Sequence, residues 1–484
     1  MPVVLVPTRS VGMPARTLRV LQQNFSLHFL FKKNMNFLPI FKQSFAHGVH
    51  PEGHTDQTER LPIQRVPFVN SYVLPLGQHL GAPARPLVKV GERVQRGQLI
   101  AEPGAFVSTS LHSPVTGKVQ AIAPRRYPGG KLQAAIEIEA DPYATQRLES
   151  KPSIDWKSLS GEEFIKHVQQ AGIVGMGGAA FPSHVKYALP DGVHIKQLII
   201  NGAECEPYLT NDHRLMLERP EAVLQGVEIV RQKLGAEQAI IGVEMNKADA
   251  IAVLQKQLKQ RQQERVTVVP LRVKYPQGAE KMLIKSLLDV EVPAGQLPRD
   301  VGVTVNNVGT IVAIADYFES GMPLIERIVT VSGPGVEQAA NLIVPLGTPV
   351  REVLRFCGGL KETTREVIMG GPMMGTPIVS LDVPILKGSS GILAFTAAET
   401  GKPKEYPCIR CGRCVEACPH FLNPTRLARF AKKGWYEEMA QYHAMDCVEC
   451  GACTFSCPSG IPIVQLIKVG KMEIRKAKVR AAST

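Results

Sequence analysis

With 484 residues, 44% of them hydrophobic and 20% charged, the chain has the composition of a globular protein and room for about three domains of ordinary size. It contains no stretch approaching the roughly 18 uninterrupted apolar residues that a membrane-spanning helix needs. The net charge of +13 sits at the ends: residues 1–51 carry six Lys/Arg and no acid, residues 401–484 carry fourteen Lys/Arg against seven Asp/Glu, and the residues between are balanced. Such ends are either solvated tails or contacts for an anionic membrane face or an acidic electron carrier, and they lack the interleaved aromatics of a nucleic-acid module.

In residues 1–34, Arg9, Arg16, Arg19, Lys32 and Lys33 punctuate apolar residues without an h-region or cleavage site, so no secretory signal is read. Translation from Met35 is the simplest reading, and residues 1–43 are expected to be a disordered extension. Residues 44–145 carry short β signals separated by Pro and Gly. The runs L-V-K-V-G-E-R-V-Q-R-G-Q-L-I-A (87–101) and H-S-P-V-T-G-K-V (112–119) resemble the barrel-sandwich hybrid fold of biotinyl and lipoyl carriers. A carrier has a lysine at the hairpin tip between these runs. Here the tip reads E-P-G-A-F-V-S-T-S-L, so the fold is expected and the carrier function is not.

Residues 146–324 alternate helical and strand patterns. Helices are predicted at Glu162–Gln170, Arg214–Leu234, Ala248–Leu258, Ala279–Leu288 and Val308–Phe318, and strands at Leu198–Ile200, Ala239–Val243, Val266–Val273 and Val301–Val305. That alternation predicts a mainly parallel α/β sheet, whose ligands lie beyond the carboxyl ends of the strands. Three loops there carry unusual residues. G-I-V-G-M-G-G-A-A-F-P (172–182) includes a formal G-x-G-x-x-A, but it follows a helical pattern and is no dinucleotide turn of the Rossmann type. Its glycines let backbone N–H groups approach a phosphate or ring. Phe181 is either a stacking ring or a core residue, and Lys186 follows at a distance suited to a phosphate. N-G-A-E-C-E-P (201–207) places Glu204 and Glu206 after a buried strand, costly unless they bind something or meet solvent. V-N-N-V-G-T (305–310) offers Asn306 and Asn307 as amide donors and acceptors, or as ordinary helix caps.

Taken in order with Y-x-x-G-x-E (275–280), these loops resemble those of the flavin-binding subunit of respiratory NADH dehydrogenase. The resemblance implies that Gly175, Gly177, Gly178, Lys186, Asn201, Gly278, Asn306 and Asn307 contact FMN. It implies that Phe181, Glu206 and Glu280 line the nicotinamide side. Met176 stands where that family has arginine, Ala203 where it has aspartate, and Ala279 where it has a first glutamate, so the expected FMN cradle is more complete than the NAD(H) grip.

Residues 325–400 open on R-I-V-T-V-S-G (327–333) and continue through N-L-I-V-P-L-G-T-P-V-R-E-V-L (341–354) and G-G-P-M-M-G (370–375). They resemble the small β-grasp (SLBB) module of the same family, with Met373 and Met374 read as packing residues and Cys357 as inert core. After a Lys/Pro/Gly linker, residues 401–484 hold C-I-R-C-G-R-C-V-E-A-C-P (408–419) and C-V-E-C-G-A-C-T-F-S-C-P (447–458). Each half is C-x2-C-x2-C-x3-C-P, the bacterial ferredoxin pattern for [4Fe-4S] ligation, in which the fourth cysteine serves the other cluster. One cluster is expected on Cys408, Cys411, Cys414 and Cys457, the other on Cys447, Cys450, Cys453 and Cys418. A zinc site would leave the third cysteine and the proline of each half without a role, and a disulfide framework needs a secreted, cysteine-rich context. The residues between the motifs read as a helical insert, and Pro462–Lys478 as a basic helix.

This order of parts, together with H-G-V-H-P (47–51) and P-L-G-Q-H-L-G-A-P-A (75–84), resembles the C-subunit family of the Rnf (Rsx) ion-translocating electron-transport complex over about residues 44–470. The resemblance implies an α/β multidomain chain made of a barrel-sandwich hybrid, an α/β flavin/NADH-binding domain, an SLBB module and an α-helical two-cluster ferredoxin-like domain. It implies an oxidoreductase subunit passing electrons between NAD(H), FMN and two [4Fe-4S] clusters, with membrane subunits and a ferredoxin-like subunit or ferredoxin as partners, peripheral on the cytoplasmic face of the bacterial inner membrane. Two rivals stand beside it: a wiring scaffold without a working NADH site, and a soluble NADH module of a hydrogenase or formate dehydrogenase.

Overall fold

The computed structural model describes residues 43–149, 152–401 and 404–483; the expected N-terminal extension lies outside them, apart from its last residue. The α/β layer is a four-stranded, wholly parallel sheet in the order Val266–Leu271, Gln238–Glu244, Gln197–Gly202, Val303–Asn307. Its strands are near-continuous apolar runs because helices cover both faces, as parallel sheets require. The chain runs outward from Gln197–Gly202 on one side and returns to its other side with Val303–Asn307. The topological switch point of the sheet, where a crevice opens, therefore lies between Asn201 and Asn307, which are paired in register.

Local chemistry sets the helix ends. Ser160 and Glu163 form a reciprocal capping box that starts the helix Gly161–Gln170. Asn307 accepts from Gly309 N–H at 2.8 Å and starts Val308–Ser320. The single helix predicted over Arg214–Leu234 is in fact two, Asn211–Glu218 and Pro220–Lys233. Pro220 has no N–H to donate into a preceding turn and pushes Arg219 out of the helical region, so it begins a new helix. Pro220–Lys233 packs closely on Val308–Ser320: a Cβ added at Gly226 would sit 2.2 Å from the Ile311 carbonyl oxygen.

The barrel-sandwich part folds as two sheets, one ordered Ser71–Pro75, Leu132–Ala140, Gly117–Arg126, Arg93–Val94 and the other Arg85–Pro86, Leu99–Glu102, Leu111–His112. The tip where a carrier would hold its lysine is docked rather than free. Phe106 lies edge-on to His184 at 5.4 Å, and its carbonyl pairs with the His184 ring at 2.7 Å. The residues just before the barrel do not belong to it. Ile63–Arg65 instead joins the SLBB sheet, pairing parallel with Asn341–Ile343 as the edge strand of a six-stranded sheet. Cys357 caps the helix Val350–Phe356 and is buried in the SLBB core.

The last part is helical, with Pro424–Lys433, Tyr436–Gln441 and Ile463–Ser483 packed around Leu427, Met439 and Ile467. Substituting Gly226→Ala is expected to lower the thermal unfolding midpoint, with a loss of about 1–3 kcal/mol despite alanine's better helix propensity. A scanning-calorimetry comparison with wild type measures it.

Candidate functional site

At the switch point lies a cavity of about 860 Å3, and every cofactor residue predicted from the sequence, from Gly175 to Asn307, is in its wall. The helix Gly161–Gln170 and the bridge between Val174 and Pro182 fold residues 172–182 into a loop rather than a strand-to-helix turn. Gly177 and Gly178 are exposed to the cavity, and no atom lies within 4 Å of where a Gly178 Cβ would stand. Phe181 is half-buried in the wall, while Met176 is 3% exposed beneath the loop.

The polar side chains hold one another in fixed orientations. Asn201 donates to the Gly278 carbonyl at 2.8 Å and accepts from Ala203 N–H. The Lys186 ammonium is partnered by Glu280 at 2.7 Å and by the Val305 carbonyl at 3.0 Å. Tyr187 donates to Asn306 Oδ1, leaving Asn306 Nδ2 buried with no partner. Asn211 donates to Asp212, leaving its own Oδ1 buried with no partner. The cavity thus presents an unmet donor and an unmet acceptor beside a Cβ-free loop. A planar heterocycle with carbonyl oxygens and a ring N–H, as in the pyrimidine edge of a flavin, meets both needs. The residues present fit FMN.

Glu204 and Glu206 behave differently. The Glu204 carboxylate accepts from Asp212 and His213 N–H, with Lys247 nearby. Burial, with Asp212 beside it, pushes its pKa up. Glu206 accepts from Met373 and Met374 N–H at 3.0 and 2.9 Å, and burial pushes its pKa up to about 7. Packing is therefore not the whole role of Met373 and Met374: they cap Glu206 through their backbone, and the Met374 side chain is 49% exposed.

The cysteine motifs fold as near-copies. Arg410 and Glu449 have φ of 57° and 60°, and Gly412 and Gly451 have φ of 80° and 82°. In each loop the residue two after the first cysteine donates its N–H to that cysteine's sulfur at 3.4 Å. Such turns aim backbone N–H groups at a sulfur-rich anion, as cubane binding requires. Charge coupling links Cys414 with Cys408 and Cys457, and separately links Cys418 with Cys447, Cys450 and Cys453. Cys418, Cys447, Cys450 and Cys453 surround one cavity, while Cys408 and Cys411 are exposed. Among the described residues no group of three or more His, Cys, Asp or Glu side chains is arranged to hold a single metal ion. The four thiols of Cys418, Cys447, Cys450 and Cys453 around one cavity suit a cubane, which is larger than an ion.

Four family models match in sequence order: the RnfC barrel sandwich hybrid domain over residues 43–143, the Nuo51 FMN-binding domain over 168–316, the SLBB domain over 328–377 and the 4Fe-4S dicluster domain over 407–461. The chain is 47% identical to the C-subunit of the proton-translocating ferredoxin:NAD+ oxidoreductase complex of Clostridium ljungdahlii, covering 90% of this chain and 95% of that one. The chain belongs to the RnfC family. A second RnfC relative, the C-subunit of the Na+-translocating ferredoxin:NAD+ oxidoreductase complex of Acetobacterium woodii, is 40% identical over 89% of this chain and 97% of its own. The C-subunit of the Pseudomonas aeruginosa ion-translocating oxidoreductase complex is 42% identical, covering 90% of this chain and 56% of that longer one. An air-oxidised NAD+-reducing [NiFe]-hydrogenase structure aligns with a TM-score of 0.46 at 18% identity, over 68% of this chain and 67% of that one.

Sequence reasoning missed part of the RnfC cavity. Gln78 and His79 from the barrel-sandwich part, Asn211 and Asp212 from a helix start, and the SLBB turn Leu386–Ser390 also line it. The first two lie inside the P-L-G-Q-H-L-G-A-P-A run, which marked the family without marking a site. The raised Glu206 pKa sets a pH dependence. An acid with a raised folded-state pKa costs nothing below its ordinary value of 4.5, and it destabilises increasingly as pH climbs from there to about 7. The unfolding midpoint of the cofactor-free chain is therefore expected to fall between pH 5 and 8. Glu206→Gln should lessen that fall, with Glu204 and Glu244, whose pKa values burial also raises, keeping the remainder, as followed by thermal shift across the range.

Proposed function

We infer that this chain is the NAD(H)-side electron-transfer subunit of an ion-translocating ferredoxin:NAD+ oxidoreductase complex, carrying FMN at the switch-point cavity and two [4Fe-4S] clusters. The observation that carries this reading is a shared wall. His420, Val448 and Cys450 line the flavin-side cavity and also the small cavity ringed by Cys418, Cys447, Cys450 and Cys453. FMN, when bound, supplies the conversion between a two-electron hydride and single electrons that a chain from pyridine nucleotide to cluster needs.

The residues of the chain do the positioning. The Gly175–Phe181 loop leaves room for the ring, and Asn306 and Asn211 supply its unmet polar contacts. Cys418, Cys447, Cys450 and Cys453 form the inner thiol set, against the cavity. Cys408, Cys411, Cys414 and Cys457 form the outer set. Exposed Ile409, Arg410 and Arg413 alternate with the first motif's outer cysteines along the chain, cations suited to an acidic carrier. No side chain is needed as an acid or base.

The division into barrel-sandwich (44–145), flavin/NADH (146–324), SLBB (325–400) and cluster (401–484) domains is part of the same reading, with Ile63–Arg65 lent to the SLBB sheet. Membrane subunits and ferredoxin, which the relatives' names imply, are the partners. No helix among the described residues is long and apolar enough to cross a membrane. Peripheral attachment at the cytoplasmic face of the inner membrane fits that fact and the basic chain ends.

Anaerobic purification followed by iron and flavin analysis tests this function. Two cubanes and FMN per chain, with NADH bleaching the flavin, are expected; clusters without flavin would favour the wiring scaffold. Cys457→Ala should remove about half of the iron and delete the outer cluster's EPR signal, while Cys418→Ala should delete the inner one. Loss of the inner signal in Cys457→Ala and of the outer one in Cys418→Ala would overturn the crossed assignment.

A further inference from the structure

The flavin-side wall of the cavity lacks three of the charged groups expected to grip a second nucleotide. Where the flavin-subunit resemblance leads one to expect charge, Met176 and Ala203 are apolar and buried, and Ala279 bears only a methyl. The opposite contribution comes from the barrel-sandwich part. Gln78 lines the cavity and is 2% exposed. Its Oε1 accepts from Lys387 N–H at 3.0 Å, which fixes the amide so that the unpartnered Nε2 is a donor. A buried amide donor without a partner is costly unless a ligand meets it. The long hairpin of Gly117–Arg126 and Leu132–Ala140 ends in a turn closed by Tyr127 and Lys131, whose Tyr127, Pro128 and Gly129 also line the cavity. The turn reaches the SLBB part, because a Gly130 Cβ would lie 3.7 Å from a Val379 methyl. Tyr127 is partly buried, and Arg126 and Lys131 on either side of it are exposed.

The cavity, at about 860 Å3, is near the upper end of the roughly 300–1,000 Å3 typical of small-molecule sites, large enough for more than a mononucleotide. A tyrosine on a wall that also presents a buried donor suits a purine ring, and the exposed Lys131, which closes the same turn, supplies a cation for the pyrophosphate that follows it. We propose that the barrel-sandwich domain is the second half of the dinucleotide site: the Tyr127 turn, with Lys131, receives the adenosine-diphosphate half of NAD(H), and Gln78 donates to the same molecule. This inference rests on the reading that NAD(H) reacts at this cavity. It gives the domain that elsewhere presents a carrier lysine a role as a fixed wall, in keeping with its docked hairpin tip.

Reduced nicotinamide mononucleotide, which lacks the adenosine half, separates the possibilities. With the purified complex and ferricyanide as acceptor, Tyr127→Ala is expected to lower the ratio of kcat/KM for NADH to that for the mononucleotide about tenfold. The affinity of ADP-ribose, measured by calorimetry, should fall in parallel. Tyr127→Phe, which keeps the ring, should restore both. Lys131→Gln, at an exposed position, should weaken ADP-ribose binding and reduce its salt dependence. A wild-type complex that oxidises NADH, with the substrate ratio and ADP-ribose affinity unchanged in Tyr127→Ala, overturns the hairpin site and leaves the NAD(H) reading standing. A wild-type complex that oxidises neither substrate and binds no ADP-ribose overturns both.

Discussion

The Tyr275 hydroxyl donates to the Cys450 carbonyl at 2.7 Å, and through this bond the cofactor cavity is fastened to the cysteine loop behind it. Tyr275 is 1% exposed, and its own backbone pairs in both directions with Val49. The strap around Val49 reaches the cluster part too: Gly48 N–H donates to Ala417, and the His47 ring pairs with the Glu416 carbonyl at 2.6 Å. Val49, Tyr275, Ala417, Cys450 and Ala452 close over these bonds as a small apolar core. Electron transfer requires a fixed distance between cavity and inner thiols, and polar contacts shielded from water hold such a distance better than exposed ones. The H-G-V-H-P run is therefore a clamp between two redox parts.

Buried charge reinforces the same arrangement. The Lys387 ammonium is fully buried and donates to the carbonyls of Ser110 and Gly172 at 2.6 and 2.7 Å, joining SLBB, barrel-sandwich and glycine loop at one point. Burial pushes its pKa down to about 7. Arg327 lies 5% exposed, donates to the Ser389 carbonyl and leans on the Met176 sulfur, with Asp212 as its charge neighbour. A buried ion is a poor source of net stability. What these two contribute is placement, since shifting the glycine loop would strip hydrogen bonds from a charge that water does not reach.

The cysteine motifs and the α/β alternation were legible because both are local patterns: a ligand spacing, and apolar runs broken at 3.6- or 2-residue periods. The glycine and asparagine loops were legible as a set by their order: the two asparagine loops each follow a strand whose carboxyl end opens on the crevice, and the glycine loop follows the helix Gly161–Gln170. Arg214–Leu234 reads as one helix in the sequence because its apolar periodicity runs on through Pro220, where the structure breaks it. The barrel-sandwich contribution to the cavity could not be seen. Gln78 and Tyr127 share a cavity with Asn306 only through tertiary docking, and nothing in their neighbours' spacing announces a ligand. Lys186 was legible as a cation, but its pairing with Glu280, itself a predicted site residue, depends on a helix start across the crevice.

The parallel pairing of Ile63–Arg65 with Asn341–Ile343 joins segments about 280 residues apart. At the roughly 5–20 residues per second of synthesis, the first of these strands waits on the order of 15–60 s for its partner to leave the ribosome. The Val49 strap waits for Tyr275 and then for Ala417. The short strand Ile63–Arg65 thus stays unpaired until Asn341–Ile343 has emerged, and its edge is open to wrong neighbours meanwhile. The bonds that tie the strap and the cavity to the cluster domain, Gly48 with Ala417 and Tyr275 with Cys450, form only once that domain emerges, which places a burden of biogenesis on whatever keeps the first segments apart until then.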